Sequence, residues 1–477
     1  QSSALIESGG DLERLASKLA SRKIQPRELQ QLGKSLEAVA SVKSIYAECK
    51  NEYLHQLSNQ LTNCEVAKEK ISTTLLDQPP ATTVKGGFIR DGIHTELDEL
   101  RNISSGGKEY LAQLQNKEAL QTGISSLKIG YNNVYGYYLE VTHAHKDKVP
   151  ADWIRKQTLT TAERYITPEL KVYEEKILGA EDKILVLEQQ LYQQLLDEVL
   201  QSLNAIQQNG QLLAIIDCLI CFAHNAIEFK YCKPVLKEDL MLDIKDGRHP
   251  VIEQSLPIDQ PYIANDLLLD PNQQQIIILT GPNMSGKSAV LRQTALITLM
   301  AHMGSYVPAS AAAIPLTDKI FTRVGANDNL SAGESTFMVE MIETASILNN
   351  ISSRSLILLD EIGRGTSTYD GISIAWSIVE YLNQSKEKPK TLFATHYHEL
   401  NDLEAQLNHV HNYHVSHKEV GNKIIFLRKL TKGGSTHSFG IHVAKMAGMP
   451  NNLVTRANAI LQEMELKNQG SQKLATP

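Results

Sequence analysis

The stretch QQQIIILTGPNMSGKSAV, residues 273–290, decides the fold of the C-terminal half of this chain. It begins with a strand-like apolar run and leads into the helix-like sequence SAVLRQTALITLMAH. Between the two, Gly281, Gly286, Lys287 and Ser288 fit the pattern GxxxxGK[ST] in full. A strand, a glycine-rich loop and a helix in this order predict a loop that holds the phosphates of a nucleoside triphosphate.

The residue types in this loop match the chemistry of phosphate binding. Gly286 lets the backbone approach the phosphates, and the amides at the helix N-terminus face the anion. Lys287 supplies a positive charge at the β and γ phosphates, and Ser288 offers a hydroxyl group to Mg²⁺. The loop therefore predicts that ATP and Mg²⁺ bind here.

A second acidic motif follows about 70 residues later, in SLILLDEIGRG (355–365). Asp360 ends an apolar strand and is placed to bind Mg²⁺, whereas Glu361 could polarise the attacking water. The alternative is an acidic pair at the start of an ordinary loop. The phosphate loop upstream makes this alternative weak. A third strand, in TLFATHYHEL (391–400), ends at His396, which could sense the γ-phosphate or orient water; we interpret His398 as a surface histidine.

Residues 325–350, GANDNLSAGESTFMVEMIETASILNN, predict a helix that Ser335 or Thr336 could cap. A capped helix start also binds anions, so Ser335 either contacts a phosphate from a partner subunit or is a plain N-cap. Both readings stay open on the residues alone. The pattern places apolar residues on one side of this helix: Phe337, Met341, Ala345 and Leu348.

Short apolar runs separated by helical segments continue through the C-terminal half. They are QQQIIILTGP, RSLILLDEIG, KTLFATHYHEL and KIIFLRKLTKGG. Continuous apolar strands that alternate with helices predict a parallel α/β sheet buried on both faces.

The N-terminal half has a different pattern. Residues 11–75 and 91–121 predict helices, and residues 125–143 alternate, with Leu127, Ile129, Leu139 and Val141 facing one way. From residue 168 a long helix carries a coiled-coil-like seam with apolar residues seven apart: Leu170, Ile177, Ile184 and Leu191. The order predicts a long lever that carries a β-rich head, and a helical bundle with a β-hairpin insertion is the open alternative.

Composition limits the possible classes. A chain of 477 residues predicts two to four domains, and a net charge of −7 argues against a generally basic nucleic-acid coat. The five cysteines have irregular spacing, which favours a reducing compartment. Cys218 and Cys221 form a CxxC in an apolar stretch, 212–227, that we interpret as a buried helix too short for the ~20 residues of a membrane span. The first residues carry no signal-peptide pattern.

Together these motifs resemble the MutS family of DNA mismatch-repair proteins. The resemblance rests on TGPNMSGKS, STFMVEMIETASIL, LLDEIGRGTSTYDG, ATHYHEL, GRHPVIEQ, FTRVGANDNL and THSFGIHVAKMAGMP. Upstream it rests on KIGYNNVYGYYLEVT and WIRKQTLTTAERYITPELKVYEEKILGAEDKI, which resemble the clamp and the descending lever arm, and on DLERLASKLASRKIQPRELQQL, which resembles the start of the core and lever helices. It implies a multidomain fold: a long α-helical core and lever with a small β-rich clamp insertion, then an α/β P-loop ATPase domain of the ABC type with a C-terminal helical dimerisation segment.

The resemblance also implies domain limits. We expect core and lever helices over 1–110 as the ascending arm, a DNA clamp over 111–167, and lever helices over 168–237 as the descending arm. An ATPase domain over 238–435 and a dimerisation segment over 436–477 follow. No N-terminal mismatch-recognition or connector domain is recognisable, so we expect a piece of a longer protein.

Roles for individual residues follow from the same resemblance. Glu361, His396 and Asn283 are the implied catalytic residues, and Ser288 and Asp360 the Mg²⁺ ligands. The implied nucleotide-binding set is Gly281, Pro282, Asn283, Met284, Ser285, Gly286, Lys287, Ser288 and Ala289, with Tyr262 and His414 on either side of the adenine. Ser335 would act in trans across a homodimer. Ser285 and Ala289 depart from the family's usual glycine and threonine, and the sequence gives no physical reason for Ser285.

The partners implied are double-stranded DNA with mismatches or small loops, a second copy of the chain, and a downstream MutL-type repair protein, in the cytoplasm at the nucleoid and with no membrane. Basic residues near the predicted β unit are the candidate DNA contacts: Lys146, Lys148, Arg155, Lys156 and Arg164. For any single lysine, a solvated charged face is an equally good interpretation.

Two other functions compete. A transporter-type ATPase would carry an LSGGQ signature, which LSAGEST (330–336) matches only in part. A non-enzymatic coiled-coil scaffold would not need the complete pair of nucleotide motifs. We therefore expect an ATP hydrolase whose ATP binding and hydrolysis gate a dimeric clamp on DNA and signal repair.

Overall fold

The structure is a computed structural model that describes residues 2–132, 136–257, 259–282, 285–324, 336–420, 423–435 and 440–472. The chain divides into two compact units, residues 1–220 and 221–477. The division in five parts expected from the sequence remains a prediction.

Helices form most of the first unit. They are α1 (Ser2–Gly9), α2 (Leu12–Ala20), α3 (Pro26–Ala47), α4 (Glu52–Gln60), α5 (Glu65–Thr74), α6 (Thr95–Thr122), α7 (Pro168–Leu200) and α8 (Leu203–Glu228), the last of which continues past residue 220. The sequence sets several of their starts. Asp11 caps α2 by accepting a hydrogen bond from the Arg14 amide at 2.9 Å, and Pro26 occupies the first turn of α3, where its missing N–H costs nothing.

The apolar positions predicted for the seam of α7 divide between two clusters, and Leu170 is buried in the one apart from the helical core. Ile184, Leu187 and Leu191 pack against a cluster of buried leucines and valines from α2 and α3. The side chains of Tyr173 and Ile177 lie outside the described part. A buried carboxylate, Glu188 on α7, is paired with Arg101 on α6 and ties the two long helices together.

A small antiparallel sheet lies between α6 and α7 in the chain. Its strands are β1 (Lys128–Asn132), β2 (Gly136–Thr142), β3 (Ile154–Thr158) and β4 (Ala162–Ile166), in the order β1-β2-β4-β3, with a short 3₁₀ helix at His143–Lys148. Leu127, Ile129, Leu139 and Val141 contribute to one apolar cluster with Trp153, so the predicted alternation is confirmed.

Helix α8 corrects two predictions about residues 212–227. The stretch belongs to a 26-residue helix whose most apolar window has a mean hydropathy of 1.6, so it is long and apolar enough for a membrane span. This is weak evidence, because core helices pass the same test, and Ile206, Leu212 and Ile216 do pack in the helical core. Cys218 and Cys221 are exposed rather than buried, and the described residues contain no metal-binding cluster.

The second unit alternates strands and helices. In chain order they are β5 (Val235–Lys237), β6 (Leu242–Gly247), α9 (Ile252–Ser255), β7 (Asn265–Leu269), β8 (Ile276–Thr280), α10 (Lys287–His302), β9 (Ala311–Pro315), β10 (Ile320–Arg323), α11 (Thr336–Leu348), β11 (Leu356–Asp360), α12 (Thr368–Gln384), β12 (Lys390–Thr395), α13 (Leu403–Gln406), β13 (Val410–Val420), β14 (Lys423–Lys432), α14 (Gly440–Met446) and α15 (Asn451–Gln472).

The larger sheet of this unit has the order β10-β11-β12-β8-β13-β14. Its pairs are parallel from β10 to β13, as the sequence predicts, but β14 runs antiparallel to β13. KIIFLRKLTKGG is therefore the return strand of a hairpin rather than a parallel strand. The sequence analysis did not indicate the second sheet, β5-β9-β6-β7, whose strands have only three to six residues.

Both faces of the parallel strands are buried, which explains why their sequences are apolar throughout. Leu279, Leu358 and Leu392 pack on one face with α10 and the smaller sheet. The alternating neighbours, such as Ile278 and Phe393, pack on the other face with α12.

Lys390 is a charged exception within this core. It is fully buried at the start of β12, and its Nζ has no hydrogen-bond partner among the described residues. Burial, and then repulsion by Arg354, lowers the pKa of Lys390 to about 8 from an ordinary value of 10.5. The unfolded chain therefore binds more protons between these two values. The buried charge of Lys390 therefore lowers the free energy of unfolding by its full amount below pH 8, and this loss is relieved as the pH rises towards 10.5.

We predict that Lys390→Met raises the free energy of unfolding at pH 7 by up to about 3 kcal/mol, because a methionine of similar volume needs no hydration. Chemical denaturation at pH 7 and pH 10 measures this, and the gain should shrink at the higher pH. The exposed Lys386→Met is the matched control and should change little. Equal stability of wild type and Lys390→Met at pH 7 would contradict the prediction.

Candidate functional site

The parallel sheet brings the predicted motifs to one edge. Thr280 at the end of β8 pairs with Thr395 at the end of β12, and Ala394 pairs with Asp360 at the end of β11. The carboxyl ends of neighbouring parallel strands are where open α/β sheets bind ligands. A cavity of about 610 Å³ lies there, lined by Pro282, Gly286, Lys287, Ser288, Ala289, Arg292, Arg323, Thr336, Glu340, Asp360, Glu361, Arg364 and Gly365.

The loop between β8 and α10 has the backbone that its glycines allow. Gly281 has a φ of 140° and Gly286 a φ of 109°, both in the region that favours glycine. Gly286 is the N-cap of α10, so the amides of the first helical turn open onto the cavity. The predicted order of strand, glycine-rich loop and helix is confirmed.

Lys287 is buried at the base of the loop. Its ammonium group donates to the carbonyl oxygen of Gly281 and, at 3.0 Å, to that of Pro282. Burial lowers the pKa of Lys287, and the carboxylates of Glu361 and Asp360 oppose that shift. The charge is thus held by loop carbonyls, weak partners that a phosphate oxygen would replace with a stronger, charge-assisted one.

Asp360 and Ser288 form the candidate Mg²⁺ site. Burial raises the pKa of Asp360, and a hydrogen bond from Ser288 partly opposes this. Its Oδ1 is buried without a hydrogen-bond partner in the described part of the chain. A carboxylate oxygen and a hydroxyl are ligands that Mg²⁺ prefers, and the orphaned oxygen leaves a coordination position free. The residues present therefore fit the ion.

Glu361 has an unusual backbone for its type. Its φ of 54° is left-handed, a conformation that costs a non-glycine residue about 1 kcal/mol or more. Its N–H donates to the Ala394 carbonyl oxygen at 2.9 Å, and its carboxylate accepts a hydrogen bond from Arg364. Strain of this kind persists only where the surroundings enforce it, and Glu361 lines the cavity together with Asp360.

The histidine and the two rings implied for the adenine lie outside the residues that line the cavity. His396 reaches solvent, yet its neighbours desolvate it enough to lower its pKa, and Glu361 partly offsets this. Tyr262 donates to Gln293 Oε1 at 3.0 Å, and burial raises the pKa of Tyr262 to about 12. His414 pairs with Thr280 in the sheet and bonds the Gly433 carbonyl oxygen through Nδ1 at 2.7 Å.

Three predicted residues, Asn283, Met284 and Ser335, lie outside the described residues. Ser285 is described and is fully buried, with its Oγ 3.5 Å from the position that a Cβ on Gly281 would occupy. This Oγ has no hydrogen-bond partner in the described part of the loop. Ser285 thus faces the inside of the loop rather than the cavity. No contact among the described residues requires its hydroxyl.

The sequence did not indicate several residues that line the cavity: Arg292, Arg323, Glu340, Arg364 and Gly365. Arg292 lies four residues after Ser288 on α10, so helical spacing could have indicated it. The predicted apolar side of α11 needs correction. Met341 and Leu348 do pack against the core, but Ala345 is exposed. The buried positions are Glu340, Thr344 and Ile347, and Glu340 has ionic and backbone partners in the interior.

The basic residues of the antiparallel sheet fall into two groups. Lys146 and Arg155 surround the buried carboxylate of Glu163, at 3.1 and 3.4 Å from its Oε1. Tyr165 also donates to Glu163, and this bond is the main cause that lowers the pKa of Glu163. Glu163 pairs across the sheet with Val141 of the apolar cluster, so this group lies on the inner face.

Arg164 follows Glu163 on β4 and therefore points to the opposite face. Its guanidinium lies 4.2 Å over the Tyr138 ring and bonds Glu140 at 3.2 Å. Lys148 donates to the Gly123 carbonyl oxygen at 3.3 Å, and Lys156 is exposed. Neither lysine forms an ion pair with another described residue. The five candidate DNA contacts thus do not share one face.

Comparison with known families agrees with this arrangement. The model for MutS family domain IV matches residues 92–183, which include α6 and the antiparallel sheet. The model for MutS domain V matches residues 277–465, which include the phosphate loop and the acidic motif. Together the two cover more than half of the chain.

The chain belongs to the MutS family. Proteins named DNA mismatch repair protein MutS match nearly all of it: that of Bacteroides thetaiotaomicron is 60% identical over 96% of this chain and 53% of its own length. The protein of Phocaeicola vulgatus is 59% identical over 98% of this chain and 54% of its own, and that of Flavobacterium psychrophilum is 57% identical over the same shares. The chain spans about half the length of the curated relatives it matches.

Within this MutS-family site, we predict that Asp360→Asn stabilises the metal-free protein at pH 7 by about 1 kcal/mol, because it removes a charge that burial disfavours. The same change should abolish the Mg²⁺ dependence of nucleotide affinity. Thermal unfolding in EDTA and nucleotide titration with and without Mg²⁺ measure the two effects. The exposed Asp402→Asn is the control. Loss of stability without metal, or an unchanged Mg²⁺ dependence, would contradict this.

Proposed function

We propose that this chain is the ATP-hydrolysing and DNA-clamping part of a mismatch-repair protein. One observation carries the proposal: a single cavity gathers Lys287, Ser288, Asp360 and Glu361 at the carboxyl edge of a parallel sheet. A phosphate loop, a metal ligand and a general base are the parts that nucleoside triphosphate hydrolysis requires. The names of the relatives support the repair role.

Residues of the cavity take separate roles in the proposed hydrolysis. The α10 amides and Lys287 hold the phosphates of ATP, and Ser288 and Asp360 would hold Mg²⁺, which would supply positive charge beside the phosphates. Glu361 orients water and accepts its proton as the oxygen attacks the γ-phosphorus and the bond to ADP breaks. Arg364, which now bonds Glu361, has to release this carboxylate before the carboxylate can hold the water.

A second copy of the chain completes the proposed site. Ser335 directly precedes Thr336 at the start of α11, and a helix N-terminus is a site that binds phosphate. Thr336 lines the cavity of its own copy, so the trans arrangement rests on the resemblance to the MutS family. We propose that Ser335 contacts nucleotide across a homodimer and that the helices between residues 436 and 465 pack against the partner. His396 would sense the γ-phosphate, and Asn283 would lie near it.

The antiparallel sheet is the proposed DNA clamp. Lys156 and Lys148, which lack ion-pair partners among the described residues, are the groups best able to bind phosphate. Lys146, Arg155 and Arg164 would have to share their charge with Glu163 or Glu140. Such contacts position the duplex without reading its bases. We propose that mismatched or looped DNA is the substrate of the whole protein. We also propose that a MutL-type protein is its partner in the cytoplasm.

We predict that Glu361→Gln retains ATP binding and lowers turnover at least about 100-fold, because the amide cannot accept the proton from water. Steady-state hydrolysis and equilibrium binding of a labelled nucleotide separate the two effects. Glu399→Gln, an exposed glutamate beyond β12, serves as control. Turnover at the wild-type rate would remove Glu361 from this role.

We predict that this chain binds duplex DNA with an affinity that falls as salt rises and that changes when ATP is added. Lys156→Ala should reduce the slope of log affinity against log salt by about 1, because it removes one phosphate contact. Fluorescence anisotropy at several salt concentrations measures this, with the exposed Lys386→Ala as control. Affinity that nucleotide does not alter would count against clamp gating.

A further inference from the structure

We propose that Glu340 and Tyr397 are positioning residues that grip the Gly363 peptide from both sides and thereby aim Glu361 at the attacking water. Three elements, α11, the loop after β11 and the turn after β12, meet at this glycine. The inference rests on the proposed ATPase function, because it assigns a task to residues that act through Glu361.

Glu340 holds the nitrogen side of the glycine. Its Oε1 accepts the Gly363 N–H at 2.6 Å, and its Oε2 lies 3.8 Å from Nη2 of the buried Arg323. The Glu340 side chain is only 10% exposed, so water cannot readily replace either contact. A charged acceptor on a backbone N–H forms a bond roughly twice as strong as a neutral one. Glu340 thus ties α11 to the loop that carries Glu361.

Tyr397 holds the carbonyl side. Its buried hydroxyl donates to the Gly363 carbonyl oxygen at 3.0 Å. Its ring packs against that of His396, with 4.3 Å between ring centroids. His396, the predicted γ-phosphate sensor, thus contacts Tyr397 directly at the end of β12.

Glycine is required at the point of the grip. Gly363 has a φ of 88°, and a Cβ on it would lie 2.7 Å from the Gly371 carbonyl oxygen. Gly371 in turn has no room for a Cβ beside the Tyr397 hydroxyl and the Gly363 oxygen. The loop therefore packs backbone to backbone on the first turns of α12, which closes a third side around the gripped peptide.

The grip reaches Glu361 through a short and rigid path. Ile362, between Glu361 and Gly363, is fully buried in the core beneath the sheet. Glu361 is fixed on its other side by the bond from its N–H to Ala394. With every neighbour fixed, the left-handed backbone of Glu361 cannot relax. A shift of about 1 Å in a catalytic group can cost 100-fold in rate, so loosening Gly363 is expected to lower turnover.

The test compares Glu340→Ala, Glu340→Gln and Tyr397→Phe in the full chain. Glu340→Ala should lower kcat about 10-fold or more while KM for ATP changes less than about threefold, because the nucleotide contacts stay in place. Glu340→Gln should recover part of the rate, since its amide oxygen still accepts from Gly363. Tyr397→Phe loses one hydroxyl and should lower kcat by a factor of about 3 to 10.

The control variants lie on α11 and α12. Glu343→Gln removes the other carboxylate that pairs with Arg323, at 2.9 Å, but does not touch Gly363. Tyr381→Phe removes an exposed hydroxyl from α12. Both should retain wild-type kcat. A loss in Glu343→Gln equal to that in Glu340→Ala would assign the effect to Arg323 and overturn the proposal.

A double-mutant comparison tests whether the two residues act through Glu361. In the Glu361→Gln background, Glu340→Ala and Tyr397→Phe should leave the residual turnover unchanged, because residues that act as a unit are not additive. If each variant lowers the residual rate by its original factor, it acts independently of Glu361 and the proposal fails.

Hydrogen exchange of the peptide that contains residues 361–365 supplies a readout without turnover. Glu340→Ala and Tyr397→Phe should speed exchange of the Gly363 amide about 10-fold or more, and both controls should not. Unchanged exchange overturns the grip. A wild-type chain that hydrolyses no ATP but shows faster Gly363 exchange in the variants would refute the proposed function and leave the grip intact.

Discussion

The pairing of β12 with both β8 and β11 is the constraint on which the site depends. It sets Thr280, Thr395 and Asp360 level at one edge of the sheet, although they lie far apart in the chain. Parallel strands need crossover helices on both faces, and α10 and α12 supply them with apolar contacts. The phosphate loop and the acidic motif meet because this register aligns the ends of the strands that precede them.

The same edge collects charges that burial disfavours. Lys287 and Asp360 both have pKa values shifted by burial towards their neutral forms, and Glu361 sits in a strained backbone. For both charges the neighbours only partly compensate: the carboxylates of Glu361 and Asp360 for Lys287, and the Ser288 hydroxyl with Lys287 and Arg292 for Asp360. A site that is incompletely satisfied in this way has favourable contacts left to make, and phosphate and a cation offer them.

Features that depend on local pattern could be predicted from the sequence: the phosphate loop, the apolar parallel strands, the alternating β unit and the seam of α7. Features that depend on partners distant in sequence could not. From the sequence, Glu340 belongs to the polar side of α11. In the fold it is buried, because it contacts Gly363 and Arg323. Lys146 and Arg155 look like free cations until β4 presents Glu163.

The MutS-type motifs STFMVEM, DEIGRG and ATHYHEL are separate in the chain but meet at one glycine, Gly363. Glu340, Gly363 and Tyr397 come one from each motif, and two hydrogen bonds join them. A change in any one would loosen the other two, because each bond fixes the same glycine. The three motifs therefore have a physical reason to occur together that is distinct from direct contact with nucleotide. Any movement of α11 would reach Glu361 through the same bonds.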